Sequence, residues 1–325
     1  MFFHCTIALL LILTSLVEAT VQNSIVPIME RFEHIENLSP TKYSKEQFQK
    51  ITDALKGKRH RVRIVTYNML FNLYDQNVEP ENRWPERLPR IVELVNDMKA
   101  DIIGVTELER DQLRELMPFM KGTYSFFFRG PKNTEQDGVF YRTDRFKLIG
   151  HRSYKLQAET LTIVWLKDRK TGKTIAVANT HFAFAKIEER TSQAHFVAKK
   201  MKSIAAKYPA VFMGDLNTFP NWPNESFPAL DGDYVNQILS QYNFHEGLRD
   251  SMSRSVVGHL GPISTFTNKE GDVKPFEGTG SPGVILDHIY VSERIQVLMH
   301  AVQSAQVNGH FPSDHMPVIA DCLVH

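Results

Sequence analysis

Cysteine is nearly absent from this sequence. Among 325 residues there are two, Cys5 and Cys322, and Cys5 lies in a leading apolar stretch that reads as a removable signal. A mature chain left with Cys322 alone can form no internal disulfide and no cysteine-based zinc site. An excess of either charge is also missing: 38 Lys and Arg stand against 37 Asp and Glu, for a formal net charge of +1. Residues 1–19 contain one acid, Glu18, and no Lys or Arg, so their removal takes +1 to +2. No global basic field advertises a polyanion partner, and any phosphate binding must be local. Long apolar runs are lacking too. Ala8 to Leu16 is too short to span a bilayer, and nothing later approaches the ~18 apolar residues of a membrane helix, so no transmembrane segment is expected in the mature chain. Repeats and low-complexity tracts are absent. What remains, 42% hydrophobic and 23% charged, is ordinary for a globular protein.

The apolar stretch with Val17-Glu18-Ala19 behind it reads as a signal peptide over residues 1–19, which predicts a secreted or periplasmic protein. Residues 20–60 read as an N-terminal extension with one helix, where Ser44 and Gln47 form a capping box before Phe48, Ile51 and Leu55. A small basic link, Gly57 to Arg61, follows. Residues 61–325 read as one catalytic domain. Asn224-Glu225-Ser226 is a glycosylation sequon if the host is a eukaryote.

The domain is organised around Val211 to Pro220 (VFMGDLNTFP). An apolar run, the mark of a buried strand, breaks at a glycine and releases Asp215 and Asn217. Side chains two apart on an extended segment point the same way, which predicts that both face one pocket. Pro220 and Pro223 then make a loop. An isolated D-x-N is ordinarily an Asx turn capping a strand. Here, other strands end in the same manner.

Arg63 to Leu70 reads as the first strand, Glu86 to Ala100 as a helix and Asp101 to Glu107 as the next strand. A helix over Asp111 to Met117 follows. Asp137 to Arg142, Leu161 to Lys167 and Thr174 to Phe182 read as strands, and Ile187 to Ala206 as a long helix. Beyond the anchor strand come a helix around Tyr234 to Tyr242 and a short strand at Ser264 to Thr267. Three closing strands follow: Val284–Ser292, Gln296–Val302 and Met316–Val324. Asn77 to Arg87 reads as a loop. Strands outnumber helices and occur both as crossover units and as neighbouring runs. That favours an α/β layered domain with mixed sheets, for which a two-sheet sandwich clad by helices has room.

Apolar runs end in Asn68, in Glu107, in His181 and in the Asp215/Asn217 pair. Leu286-Asp287-His288 and Ser313-Asp314-His315 complete the set. Six converging features in one chain are hard to produce by capping alone and point to catalysis. Asn68, Glu107, Asp215, Asn217 and Asp314 offer hard oxygen ligands, which suit Mg²⁺, with Mn²⁺ or Ca²⁺ as possibilities, better than zinc. Two histidines supply proton transfer near neutral pH if a carboxylate orients each. Asp287 is the candidate partner of His315, and Asp137 of His181. His60, His195 and His259 have no such partner in view and read as structural or solvated. The chemistry implied is phosphate-ester hydrolysis.

At these residues the chain resembles the endonuclease/exonuclease/phosphatase superfamily, the fold of pancreatic deoxyribonuclease and the abasic-site endonucleases. The matching pieces are Thr66-Tyr67-Asn68, Asp101 to Glu107 (DIIGVTE), Asn179-Thr180-His181, Gly214-Asp215-Leu216-Asn217, Leu286-Asp287-His288-Ile289 and Ser313-Asp314-His315-Met316-Pro317. They occur in the family's order. The resemblance implies a four-layer α/β sandwich, two mixed β-sheets packed face to face with helices outside. It implies that Glu107 holds the metal, helped by Asn68 and Asp314, and that Asp215 positions or deprotonates the attacking water. By the same resemblance Asn217 and His181 bind the scissile phosphate, His315 acts with Asp287, and Asp137 supports His181.

Within the superfamily, the motifs of the inositol-polyphosphate phosphatases and of the abasic-site enzymes fit less well. The layout TYNML, DGVFYRTDRF and STFT ahead of LDHIYVS looks closer to deadenylase-like members. A signal peptide fits poorly with a cytosolic deadenylase, so the expectation is an exported divalent-metal-dependent phosphodiesterase, most simply a nuclease. A sphingomyelinase-like or other phosphatase activity is the alternative, and an inactive binding module the distant one. A nucleic-acid substrate predicts backbone contacts from Arg129, Lys132, Arg142 and Lys186; a lipid substrate would use Phe219 and Trp222.

Overall fold

The computed structural model describes residues 60–128, 137–184, 186–218, 234–241, 248–262, 264–267 and 285–325. The signal peptide, the extension helix at Ser44 to Leu55, the sequon at Asn224, and Arg129, Lys132, Phe219 and Trp222 lie outside the described residues.

Two mixed sheets form the body. The first has seven strands: β1 (Val62–Asn68), β2 (Ile102–Thr106), β3 (Tyr124–Phe127), β4 (Val139–Arg142), β10 (His259–Leu260), β12 (Ile295–Val302) and β13 (Val318–Val324), in the order β10-β12-β13-β1-β2-β4-β3. The second has six: β5 (Phe146–Leu156), β6 (Glu159–Asp168), β7 (Thr174–Asn179), β8 (Ala210–Asp215), β9 (Arg249–Asp250) and β11 (Asp287–Val291), in the order β5-β6-β7-β8-β11-β9. In the middle of each sheet two strands run parallel, β1 with β2 and β7 with β8. These are the two units joined through helices, as crossover connections require.

Three apolar clusters define the layers. Between the sheets, Ile64, Ile102 and Val318 of the first meet Val177, Val211, Met213 and Ile289 of the second. On the outer face of the first sheet, Val65, Tyr67, Ile103 and Val105 pack on α1 (Trp84–Met98) and α2 (Arg110–Met120). Outside the second, Ala176, Ala178, Phe212 and Tyr290 pack on α3 (Ile187–Ala205) and α4 (Tyr234–Gln241). A fifth helix, α5 (Ser251–Arg254), is a single turn. The alternation of sides along each strand gives every central strand one face toward the other sheet and one toward a helix. The result is the expected four-layer α/β sandwich.

Some elements differ from expectation. The stretch Asn77 to Arg87, expected to be loop, holds a 3₁₀ turn at Pro80–Asn82, and α1 already begins at Trp84, with Pro85 in its first turn. Proline is tolerated there because the amide it lacks has no helical partner. Strand β5 has no apolar alternation in its sequence, FKLIGHRSYKL; as an edge strand it is buried fully only at its two ends. The Ser264 to Thr267 segment is reduced to a single bridge between Phe266 and His315.

Candidate active site

The parallel strands and their neighbours deliver the polar groups to one end of the sandwich. Asn68 closes β1 and Asp215 closes β8. Antiparallel β11 starts at Asp287, whose register partner is Asp215, so two acids far apart in the sequence stand side by side. The turn carrying Ser313 to His315 is tied to the same end, since Ser313 Oγ donates to the Asn68 carbonyl at 2.8 Å.

Asp215 is the hub. Its Oδ2 accepts from Asn68 Nδ2 at 3.0 Å and lies 3.6 Å from both His181 Nε2 and His315 Nε2. Its Oδ1 accepts the Asn217 amide at 2.9 Å. The Asx turn typical of D-x-N is therefore present, and it serves to hold a converging carboxylate. Asn68 Nδ2 also donates to Glu107 Oε1 at 2.8 Å, while its Oδ1 accepts the Leu70 amide at 3.0 Å. One amide group thus spans two carboxylates. Asn217 Nδ2 lies 2.9 Å from His181 Nε2 and donates to the Phe182 carbonyl at 2.8 Å.

Asp287 and His315, 28 residues apart, meet with Oδ2 and Nδ1 at 2.7 Å. Burial alone would push the His315 imidazole down, but the Asp287 and Asp215 carboxylates outweigh it and raise its pKa to about 10. Burial also raises the Asp287 carboxyl against the imidazole's pull, so the pair keeps its proton through neutral pH. Exposure separates two halves of the site. Glu107 and His181 side chains keep 13% and 12% of their surface, whereas Asp287 and His315 keep 0% and 5%. Glu107 and His181 face the mouth, and Asp287 and His315 form the floor.

Two of these side chains arrive by a route that strand parity does not describe. On parity, Glu107 would share the helix-facing side of Ile103 and Val105, but it lies beyond the end of β2 with φ 53°. Asn217 likewise has φ 48°. Left-handed backbone, which costs a non-glycine residue about 1 kcal/mol or more, turns both side chains into the pocket. Gly214 makes room nearby: with φ 148°, a Cβ there would fall 1.8 Å from the Thr180 carbonyl oxygen. At Gly104, a Cβ would fall 2.3 Å from Asn179 Oδ1, so the glycine lets the Asn179 amide cross between the sheets to the Val105 and Gly138 carbonyls.

Asp314 stands at the rim, where its Oδ1 accepts from Ser313 Oγ at 3.3 Å. Asp137 is buried beside Gly138, where Asn179 ties β4 to the end of β7 two residues before His181. Glu107, His181 and Asp215 present ligand atoms within 4.8 Å of one another, as do Asp215, Asp287 and His315. Two carboxylates and an imidazole at the mouth, with an amide between the acids, fit a hard divalent cation. Asp314 belongs to neither cluster.

The supports were not visible in the sequence. Arg87 of α1, buried, donates to the Met69, Leu70 and Pro312 carbonyls at 2.7, 2.8 and 3.3 Å, clamping the end of β1 to the turn before His315. Gln112, in the capping box that opens α2, reaches Leu70 as well. Arg190 and Gln193 of α3 hold the backbone of Ala183, just past His181. His288, the other half of the LDH motif, turns away and contacts the Thr218 carbonyl at 2.9 Å. His259 pairs with His300 at 2.9 Å and with the Pro262 carbonyl. Arg142 is a correction: β4 runs antiparallel to β2, which puts Arg142 at the opposite end, paired with Asp144 at 2.7 Å. Lys186 does lie at the site end, preceding α3, where it pairs with Glu189.

Protein angel of Drosophila melanogaster is 21% identical to this chain over 207 residues, 57% of this chain and 56% of that protein. The CCR4-Not complex 3'-5'-exoribonuclease subunit Ccr4 of Debaryomyces hansenii is 22% identical over 297 residues, 73% of this chain and 35% of that protein. In both cases the chain spans less than two thirds of the relative's length. Among solved structures, an endonuclease/exonuclease/phosphatase from Bacteroides vulgatus superposes with a TM-score of 0.67 at 22% identity, covering 82% of this chain and 99% of that one. The sequence model of the Endonuclease/Exonuclease/phosphatase family matches residues 65–315, from the first strand through the SDH motif. The chain belongs to that family.

Proposed function

We propose that the protein is an exported, divalent-metal-dependent phosphodiesterase, and that its substrate is a nucleic acid. The observation that carries the reading is Asp215 Oδ2, set 3.6 Å from the Nε2 atoms of both histidines and 3.0 Å from Asn68 Nδ2. A carboxylate so placed is poised to orient a water and take its proton, with an imidazole on either side to bind or protonate phosphate oxygens. In this reading Glu107 is the principal holder of Mg²⁺, with Asn68 fixing its carboxylate and Asp314 assisting from the rim. The cation supplies Lewis-acid neutralisation of phosphoryl charge when bound. His181, supported by Asp137, and Asn217 bind the scissile phosphate, and His181 donates a proton to the leaving oxygen. His315, held charged by Asp287, steadies the negative charge that builds on the phosphoryl oxygens.

Membership of the family supports hydrolysis of phosphate esters. The similarity to a protein named as a 3'-5' exoribonuclease subunit favours a nuclease. Export rests on the apolar stretch Ala8 to Leu16 and the small-residue site before Thr20, and N-terminal sequencing of the mature protein tests it. The activity is tested with purified protein and Mg²⁺ on DNA, RNA, sphingomyelin and inositol phosphates in parallel. Metal-dependent cleavage of DNA or RNA, weakening steeply with salt, is expected. Turnover confined to sphingomyelin or inositol phosphates would overturn the nuclease reading, and no turnover of any phosphoester would overturn the enzyme reading.

A further inference from the structure

The buried floor of the site is gripped by a residue from the segment that follows β10, an edge strand of the first sheet. Thr265 is fully buried. Its Oγ1 accepts the backbone amides of Leu286 at 2.9 Å and Asp287 at 3.1 Å. Its carbonyl accepts the amide of Met316 at 2.7 Å, the residue after His315. One residue therefore fixes the backbone of Asp287 through its hydroxyl and the backbone next to His315 through its main chain. The residues around it continue the grip. Phe266 bridges to His315 and sets its ring edge-on to the imidazole, with centroids 5.1 Å apart. The Thr267 amide donates to the Asp314 carbonyl. The segment is itself anchored: His259 meets the Pro262 carbonyl at 2.9 Å, and a Cβ at Gly261, with φ 87°, would fall 2.3 Å from the Val302 carbonyl oxygen.

We propose that Thr265 is a positioning residue for the Asp287–His315 pair, holding the carboxylate and the imidazole in the register that points His315 Nε2 at Asp215. The proposal rests on the phosphodiesterase reading for its effect on rate, and on geometry alone for its effect on the pair. A threonine suits the place physically. Two amides need one acceptor, and a hydroxyl oxygen has two lone pairs to offer. The β-branch limits χ1, so the acceptor does not wander. Valine has the same shape without the acceptor and leaves two buried amides without that partner, whereas serine restores it.

The test compares Thr265→Val with Thr265→Ser in two measurements. The first is steady-state kinetics. Thr265→Val lowers kcat by roughly 10- to 100-fold, the scale of a small misplacement of a reacting group, with KM changed by less than about twofold because His181 and Asn217 are untouched. Thr265→Ser recovers kcat to within about threefold of the parent, having the same acceptor. The second is the far-downfield NMR signal of the proton shared by His315 Nδ1 and Asp287 Oδ2, assigned by its loss in Asp287→Asn. It shifts or broadens in Thr265→Val and returns in Thr265→Ser. If the valine variant does not fold, Thr265→Cys, a weaker acceptor, replaces it and gives intermediate values of both readouts. An unchanged kcat and an unmoved proton signal in Thr265→Val overturn the proposal, as does an equal loss in the serine variant. A parent that cleaves no phosphodiester overturns the functional reading instead, and the proton signal still decides the role of Thr265.

Discussion

The two ends of the sandwich use the same strands and treat acidic residues in opposite ways. At the end where β1 and β2 begin, Asp321 receives two hydrogen bonds from Arg63, both 2.8 Å, and Arg61 stands 3.7 Å away. Asp101 and Asp168 are paired to Arg145 at 2.7 and 3.3 Å. Three buried or half-buried arginines meet three aspartates. At the end where the same strands finish, Glu107, Asp215 and Asp287 converge on one another and on two histidines. Two guanidiniums buried close by, Arg87 and Arg190, donate to main-chain carbonyls. One end is neutralised by the chain itself and works as a fastener. The other is left with a surplus of negative charge that a bound cation can meet.

The largest effect expected from breaking this contrast is on turnover. Glu107→Gln keeps the shape of the side chain and its contact with Asn68, but removes the charge that the cation reads. A loss of roughly a thousandfold in kcat/KM is expected, about 4 kcal/mol of transition-state stabilisation. Rate assays across a Mg²⁺ titration check it; parent-like turnover at low Mg²⁺ would show that Glu107 is not the ligand.

Next in size is a change at the opposite end. Asp321→Asn leaves Arg63 buried without its counter-charge, which costs about 3–5 kcal/mol of stability, and should leave kcat per folded molecule unaltered. Burial would push the Asp321 carboxyl up, but Arg63 outweighs it and holds it below the usual carboxylate range. With the folded pKa depressed, the stabilisation is full above the unfolded value of about 3.9 and is lost as pH falls through the folded value. Urea melts from pH 7 down to pH 3 should therefore show a shallower acid decline for Asp321→Asn than for the parent. Equal slopes would mean that the pair does not carry the acid sensitivity.

The catalytic end is largely legible in the sequence and the fastened end is not, and what is missing has a common cause. Apolar runs ending in Asn68, Glu107, His181 and Asp215 are local patterns, and a strand's polar end can be read from a few neighbours. Glu107 and Asn217 were found for the right region but with the wrong local geometry. Their left-handed backbones depend on what closes around them, and parity along an extended strand does not describe them. Arg87 left no signal and Thr265, though part of the STFT stretch, no sign of its role, because their partners lie up to 225 residues away and are main-chain atoms that have no residue type. Arg142 was misplaced because its strand's direction is set by pairing with β2. Strand β5 was missed because an edge strand with exposed charged residues carries no apolar period.

A smaller effect sharpens the division between mouth and floor. Asp287→Asn should lower kcat about a hundredfold, the lower range for disturbing a general acid–base group. The carboxylates raise the folded His315 pKa to about 10. Removing the nearer one lowers it, so the limb that reports loss of the imidazolium moves to lower pH. A double variant with His315→Ala should be little worse than His315→Ala alone, since the two act as a unit. Multiplying losses, or a limb that stays in place, would show that the pair does not work together.

The smallest effect has a sign that separates the two ends most cleanly. In chelator, with no divalent cation, Glu107 and Asp215 share one Asn68 amide group, at 2.8 and 3.0 Å. Two carboxylates at that separation repel, and the charged His315 beside Asp215 offsets the repulsion only in part. Glu107→Gln removes the repulsion while its amide oxygen can still accept from Asn68, so it should stabilise the metal-free protein. The gain is modest because the mouth is partly open to solvent and salt screens it. About 1 kcal/mol is expected, a rise of roughly 2–4 °C in Tm for a domain of this size. Adding Mg²⁺ should then raise the Tm of the parent by mass action on the folded state and leave the variant nearly unmoved, so the two curves cross as the metal is added. Asp321→Asn should lower Tm in either condition. If Glu107→Gln also lowers Tm in chelator, Glu107 is a fastener like Asp321, and the surplus charge assigned to this end of the sandwich is not there.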